Sequence, residues 1–241
     1  MFKIFVFILS ISSYLLSSSI EGTVSYGGSN KKPKNLSMDS DPICGTSHSI
    51  PPKNENFILN EDNNFKNVIV WLTNIAFEDD LTSEPLTIDQ LGCMYSPHVN
   101  ALTVGQSILI KNSDQTLHNV NSQSKVNDSF NSAQPAGVPD IKKIFTEPEA
   151  PFYIKCDVHP WMKAWIMVAD HPYFAVTDEN GYYKINNIPE GNYEVVFWQE
   201  KLSNLPAKKF NLPSNTLEVT VSDSERYLVD FKFQSPAEYK K

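Results

Sequence analysis

Short apolar runs, most of them alternating with polar residues and bounded by turn chemistry, follow one another along nearly the whole chain. The first spans 20–26 (Ile-Glu-Gly-Thr-Val-Ser-Tyr) and closes on Gly27-Gly28-Ser29-Asn30. A polar stretch to about residue 64 carries Asp41-Pro42-Ile43-Cys44-Gly45 and Pro51-Pro52, and reads as an ordered loop. A strand follows at 67–72, and the acidic residues and Pro85 of 75–92 read as loop. From Cys93 the strands crowd together. Residues 102–104 turn at Gly105 into a strand over 106–111, Asn112-Ser113-Asp114 supplies a turn, and 117–120 re-enters a strand. A polar loop over 121–140 separates this from strands at 143–145, 152–156 and 164–168. Farther on, 174–177 and 182–185 flank Asp178-Glu179-Asn180-Gly181, a hairpin signal, and strands follow at 192–198, 217–221 and 227–233. With no long 3.6-residue period and no heptads, the pattern predicts an all-β protein built from sandwiches.

Composition agrees. The 241 residues leave room for one or two cores, and 16 Pro against 9 Gly, with many β-branched and aromatic residues, favour sandwiches over helical bundles. The net charge of −8, with no Lys/Arg block, excludes nucleic acid as a partner and suits encounters with basic proteins. Residues 1–19 read as a signal peptide: Lys3, an apolar core over 4–16, and the small residues Ser17 and Ser19 before a cleavage point. The apolar core falls short of the ~20 residues that cross a bilayer. The expectation is an exported, periplasmic or secreted protein with no membrane span after removal of the leader; the alternative is a single-pass anchor. A Gly-rich phosphate loop, a nucleophile elbow and a His-Glu-x-x-His motif are all missing, and no enzymatic activity is expected.

Candidate chemistry concentrates in Cys156-Asp157-Val158-His159-Pro160-Trp161-Met162 and in His118 upstream. A thiolate, two imidazoles and a thioether form the donor set of a type 1 copper site, with Met as the weak axial ligand. Phe152, Ile154 and Cys156 alternate with Tyr153 and Lys155, so period two places the thiol on the apolar face. Pro160 stiffens the short loop between the ligands. Zinc also accepts Cys and two His, but a thioether favours copper. Taken singly, each residue has a structural reading: a buried apolar thiol, a satisfied strand histidine, a core methionine. With Cys156 on the metal, Cys44 and Cys93 remain as a disulfide pair. His48, His98 and His171 have no ligand spacing and read as structural or surface residues.

Residues 95–168 resemble the cupredoxins, Greek-key sandwiches that carry type 1 copper, and among them the amicyanin-like and plastocyanin-like members. The resemblance rests on Tyr95-Ser96-Pro97, Val104-Gly105-Gln106, Asn112 to Asp114 before His118-Asn119-Val120, and Cys156-x-x-His159-x-x-Met162. It implies one copper ion held by His118, Cys156, His159 and Met162, single-electron transfer, and a redox protein as partner. It further implies that Asn119 braces the ligand loop with its N–H near the sulfur. His159, with Pro160 and Trp161, would then reach the surface as the electron exit. At such an exposed edge His159 is expected to leave the reduced metal in mild acid. No cluster of three further histidines offers a second copper.

Thr177-Asp178-x-x-Gly181-x-Tyr183 and Ile188-Pro189-x-Gly191-x-Tyr193 resemble the carboxypeptidase regulatory-like domain, a transthyretin-like sandwich. Its earlier strands are matched far upstream, at Gly22-Thr23-Val24 and Val68-Ile69-Val70. The expected layout is a discontinuous sandwich, 20–85 with 171–241, into which a cupredoxin domain over 86–170 is inserted. In the competing layout the two domains are sequential. Beside electron transfer stand two other expectations: a module that stores, delivers or senses copper, and a structural periplasmic β-protein.

Overall fold

The computed structural model describes residues 17–30, 32–78, 81, 84–204, 214–222 and 225–239. In chain order the first strands are β1 (Ser18–Tyr26), β2 (Ile58–Leu59), β3 (Phe65–Lys66), β4 (Ile69–Thr73), β5 (Leu86–Gln90), β6 (Tyr95–Ser96), β7 (Val99–Thr103), β8 (Ser107–Asn112), β9 (His118–Ser122) and β10 (Asn131–Gln134). They continue with β11 (Ile141–Ile144), β12 (Glu149–Lys155), β13 (Lys163–Ala169), β14 (Phe174–Val176), β15 (Tyr182–Ile188), β16 (Gly191–Trp198), β17 (Thr216–Val221), β18 (Arg226–Leu228) and β19 (Phe231–Phe233). A single turn of α-helix, α1 (Pro42–Thr46), interrupts the early loop. The fold is all-β, as the alternation predicts.

Two sheets, β10-β9-β12-β13-β7 and β11-β8-β5-β6, enclose one core around Ile88, Leu102, Ile110, Val120, Ile154 and Ile166. Two others enclose a second core around Ile20, Val24, Leu72, Tyr183 and Phe197: β15-β1-β18, with β19 also on β1, and β14-β4-β16-β17. Strand β13 faces both ways. Its Ala164, Ile166 and Val168 enter the first core, whereas Trp165, Met167 and Ala169 pack on Ile69, Val99 and Trp198. Period two on one apolar strand thus joins the two pairs of sheets, and the rings of Trp165 and Trp198 lie 4.8 Å apart. Strands β5 to β13 pair only among themselves, while β1 and β4 pair with strands beyond residue 173.

Several elements differ from the sequence expectation. The stretch 75–92, read as loop, contains β5, which pairs parallel with β8. Its inward Gln90 is buried because its Nε2 donates to the Lys111 carbonyl at 2.8 Å and to Gln134 Oε1 at 2.7 Å. The polar loop 121–140 contains β10, an edge strand without apolar alternation that is held by pairing to β9, Gln134 opposite His118. Asp178 to Gly181 does not close a hairpin, since β14 pairs with β4 and β15 with β1. The turn instead docks on β1: the Gly181 carbonyl accepts the Val24 N–H at 2.9 Å. Gly181 has φ +75°, and a Cβ there would lie 2.6 Å from that of Asn64. The run 227–233 is split in two at the crossing over Gly22, where a Cβ would collide with the Val229 carbonyl.

Residues 1–16 of the expected leader lie outside the described residues. Ser18 and Ser19 belong to β1, buried and opposite Ile188 and Arg226. The first strand therefore begins two positions earlier than residue 20, because alternation alone gives no reason to extend it through serines.

Glu149 shows how a loop beside the first core is fixed. Its buried carboxylate accepts the Lys125 N–H at 2.6 Å, the Ser124 hydroxyl at 2.7 Å and Asn127 Nδ2 at 3.1 Å. Burial pushes its pKa up, but these donors outweigh it and hold the group below its ordinary 4.5. A depressed carboxylate stabilises the fold fully above the unfolded value and loses that contribution as pH falls through the folded one. Glu149→Gln is expected to cost about 1.5–3 kcal/mol at neutral pH, and less as the pH is lowered toward 3. Urea denaturation of both proteins against pH checks this, and a pH-independent cost would contradict it.

Candidate metal centre

Cys156 directly follows β12, and Phe152, Ile154 and Cys156 share the core-facing side of that strand and its extension. β9, which opens with His118, is the antiparallel neighbour of β12, with Ile154 opposite Ser122 and Lys155 opposite Asn121. Strand pairing therefore brings His118 alongside the thiol. The loop from Cys156 to Met162 folds back on itself. The Cys156 N–H donates to the Met162 carbonyl at 3.2 Å, the Met162 N–H to the His159 carbonyl at 2.9 Å, and the His159 N–H lies 3.4 Å from Cys156 Sγ.

The side chains converge as a result. Nδ1 of His118 lies 2.9 Å from Nδ1 of His159, which is 3.7 Å from Cys156 Sγ. One donor atom from each of the three lies within 4.8 Å of the others. His118, Cys156, His159 and Met162 are at most 2% exposed, and Met162 packs in the same core as Cys156. Two imidazole nitrogens facing each other beside a thiol, closed from water, form a donor set that suits a soft divalent or monovalent cation. With a thioether in the same core the set fits copper better than zinc.

Charge is arranged to match. Burial pushes the Cys156 thiol up, but His118 and the N–H groups of Asn119, His159 and Val158 more than offset this and hold it below its ordinary 9.0. Burial pulls His118 down, yet Asp114 and Cys156 raise it to about 9. Each outer ring nitrogen meets a carboxylate: His118 Nε2 lies 2.9 Å from Asp114 Oδ2, and His159 Nε2 lies 3.2 Å from Asp41 Oδ2.

Asn119 links the ligand strands. Its Oδ1 accepts the Asp157 N–H at 2.6 Å, and its Nδ2 donates to Asn131 Oδ1 at 2.7 Å and Asp157 Oδ2 at 3.2 Å. Pro160 is exposed and Trp161 half-buried. The Trp161 ring lies 5.1 Å from that of His159, and its Nε1 donates to the Cys93 carbonyl at 3.0 Å. A cavity of about 140 Å³ adjoins Trp161 and Met162 and is lined also by Tyr95, His98 and Glu200.

His159 itself is not at a surface edge. It is 1% exposed, because α1 lies over it with Cys44 Sγ 3.6 Å from Nε2. The disulfide between Cys44 and Cys93, Cα atoms 5.5 Å apart, ties this segment down. The departure of His159 in mild acid, expected from an exposed edge, loses its geometric basis.

Of the remaining histidines, His48 Nε2 lies 2.6 Å from the Gly92 carbonyl, His98 Nε2 lies 2.7 Å from Glu200, and His171 Nδ1 accepts the Tyr173 N–H. None joins the site. Asp41 and Asp114 were not anticipated as site residues. Asp114 stands four residues before His118 in a turn triplet, and Asp41 precedes Pro42 as an N-cap signal; in the sequence, the expected Cys44–Cys93 pairing is what connects the latter segment to the site.

No family model matches the sequence, and no curated protein matches it. Among solved structures, a Cu-containing nitrite reductase from Thermus scotoductus SA-01 overlaps 40% of this chain at 21% identity and a TM-score of 0.34. The chain spans about a quarter of the length of that reductase, 25%. A purple cupredoxin from Nitrosopumilus maritimus overlaps 35% of this chain and 99% of its own, at 24% identity and TM-score 0.31. An oxidized single-substitution variant of amicyanin overlaps 34% and 80%, at 19% identity and TM-score 0.31. Overlaps this small define no shared fold by themselves, and the site stands on its own geometry.

Asn119→Ala removes both the acceptor for the Asp157 N–H and the bridge to Asn131. It is expected to lower the stability of the metal-free protein by about 1–3 kcal/mol, read by chemical denaturation. An unchanged midpoint would mean the ligand loop is held without it.

Proposed function

We propose that this chain is a type 1 copper protein of the cupredoxin kind that carries single electrons between redox partners. The observation that supports it is the buried convergence of His118 Nδ1, His159 Nδ1 and Cys156 Sγ within 4.8 Å of one another. Copper bound there would supply a Cu(II)/Cu(I) couple that takes one electron from a donor protein and passes it to an acceptor. The protein's own residues do the rest. His118, Cys156 and His159 would hold the metal, with the Met162 thioether as a fourth, weak donor. Asn119 fastens the ligand loop to the neighbouring strand, and the N–H groups around Cys156 favour its thiolate. No substrate bond is made or broken, so the chain works as a carrier and not as an enzyme.

With His159 covered, the electron leaves through the ring of Trp161, in contact with His159, toward the exposed Pro160. The redox partner docks on that face. The carrier unit is residues 86–170, inserted into a discontinuous transthyretin-like sandwich; the exclusive pairing of β5 to β13 supports this layout. The chain acts outside the cytoplasm, where the Cys44–Cys93 disulfide persists.

The visible and electron paramagnetic resonance spectra of the Cu(II)-loaded protein test this reading, beside those of Cys156→Ser. The expected result is an intense thiolate-to-copper absorption with narrow copper hyperfine splitting, both lost in the variant. A colourless protein, or one that binds zinc in preference to copper, would contradict it.

A further inference from the structure

Both proposed ligand histidines are backed by a carboxylate on the nitrogen that points away from Cys156, and the Cys44–Cys93 disulfide lies between the two carboxylate-bearing turns. Asp114 Oδ1 accepts the Gly92 N–H at 2.7 Å, and its Oδ2 accepts the Cys93 N–H at 2.7 Å while meeting His118 Nε2 at 2.9 Å. Asp41 is the N-cap of α1: its Oδ1 accepts the N–H groups of Ile43 and Cys44 at 2.8 and 3.0 Å. That leaves Oδ2 for His159 Nε2 at 3.2 Å and the Thr116 hydroxyl at 3.3 Å. Cys44 Sγ closes the same edge of the His159 ring at 3.6 Å. Met38 and Cys44 sit in the site's own core, and His48 reaches the Gly92 carbonyl at 2.6 Å, so the cap is docked on the Cys93 turn from both sides.

A carboxylate on Nε2 keeps the proton on that nitrogen. The lone pair of Nδ1 then points inward, and the ring cannot rotate without breaking the outer bond. Rotation of His159 would also have to push aside a segment covalently strapped to Cys93. We propose that Asp41 and Asp114 are positioning residues that lock both histidines onto the metal in either oxidation state, with the Cys44–Cys93 disulfide as the strap that keeps Asp41 in place. This rests on the copper reading above. Its consequence is a carrier that does not shed a histidine on reduction and does not yield copper readily.

The full chain, with its disulfide formed, is loaded with copper and compared with Asp41→Asn and Asp114→Asn. Asparagine still caps a helix, so Asp41→Asn removes the negative charge facing His159 while keeping the turn, and Asp114→Asn gives an independent result at His118. Each variant is expected to retain the thiolate-to-copper absorption, to show a higher reduction potential by electrochemistry, and to hold Cu(I) about 10- to 100-fold more weakly against a competing Cu(I) chelator. Cys44→Ser with Cys93→Ser is expected to weaken Cu(I) retention in the same direction by freeing Asp41. Variants that keep the absorption with unchanged potential and unchanged Cu(I) retention would overturn the positioning role alone. Absence of the absorption from the unaltered protein would overturn the copper reading, and this inference with it.

Discussion

The meeting of Cys156 and His118 depends on β9 and β12 being hydrogen-bonded neighbours in one sheet. A strand pair fixes where the ends of its side chains stand to within the play of one rotamer, which a loop cannot do. The third donor, His159, comes from a loop, but one closed by two backbone hydrogen bonds between Cys156 and Met162 and by the His159 N–H on the Cys156 sulfur. The ligand set is thus built by the sheet and the loop before any cation arrives.

Around that triad the chain places a cover that short ligand loops do not need for coordination. The segment ending in α1 crosses from the second pair of sheets to the first, is pinned by the disulfide, and sets a carboxylate against His159. Burial of an imidazole is tolerable only if its polar atoms are satisfied. Here Nε2 of each histidine is satisfied by an aspartate, while the two Nδ1 atoms face each other beside Cys156 as open donor atoms. The covered histidine is followed in its loop by the exposed Pro160 and the half-buried Trp161.

Much of this was legible in the sequence, and for physical reasons. The period-two run ending at Cys156 and the spacing to His159 and Met162 follow from strand geometry and short-range contacts, which sequence records directly. The Cys44–Cys93 disulfide followed from the cysteine count. Strands β5 and β10 escaped because their inward positions are filled by Gln90 and by residues without apolar alternation, and their stability comes from pairing partners remote in sequence. The Asp178–Gly181 turn carries hairpin residues, yet their donors and acceptors are used against β1 and within the turn itself. Asp41 and the burial of His159 were hidden for the same reason: both arise from a contact across 118 positions.

X-ray absorption at the copper edge, on the loaded protein in its oxidized and reduced states, probes the closed triad most directly. Two nitrogen neighbours and one short sulfur neighbour in both states are expected from a site whose histidines are fixed on each side. Loss of a nitrogen on reduction, or a coordination shell without sulfur, would contradict a centre assembled from His118, His159 and Cys156.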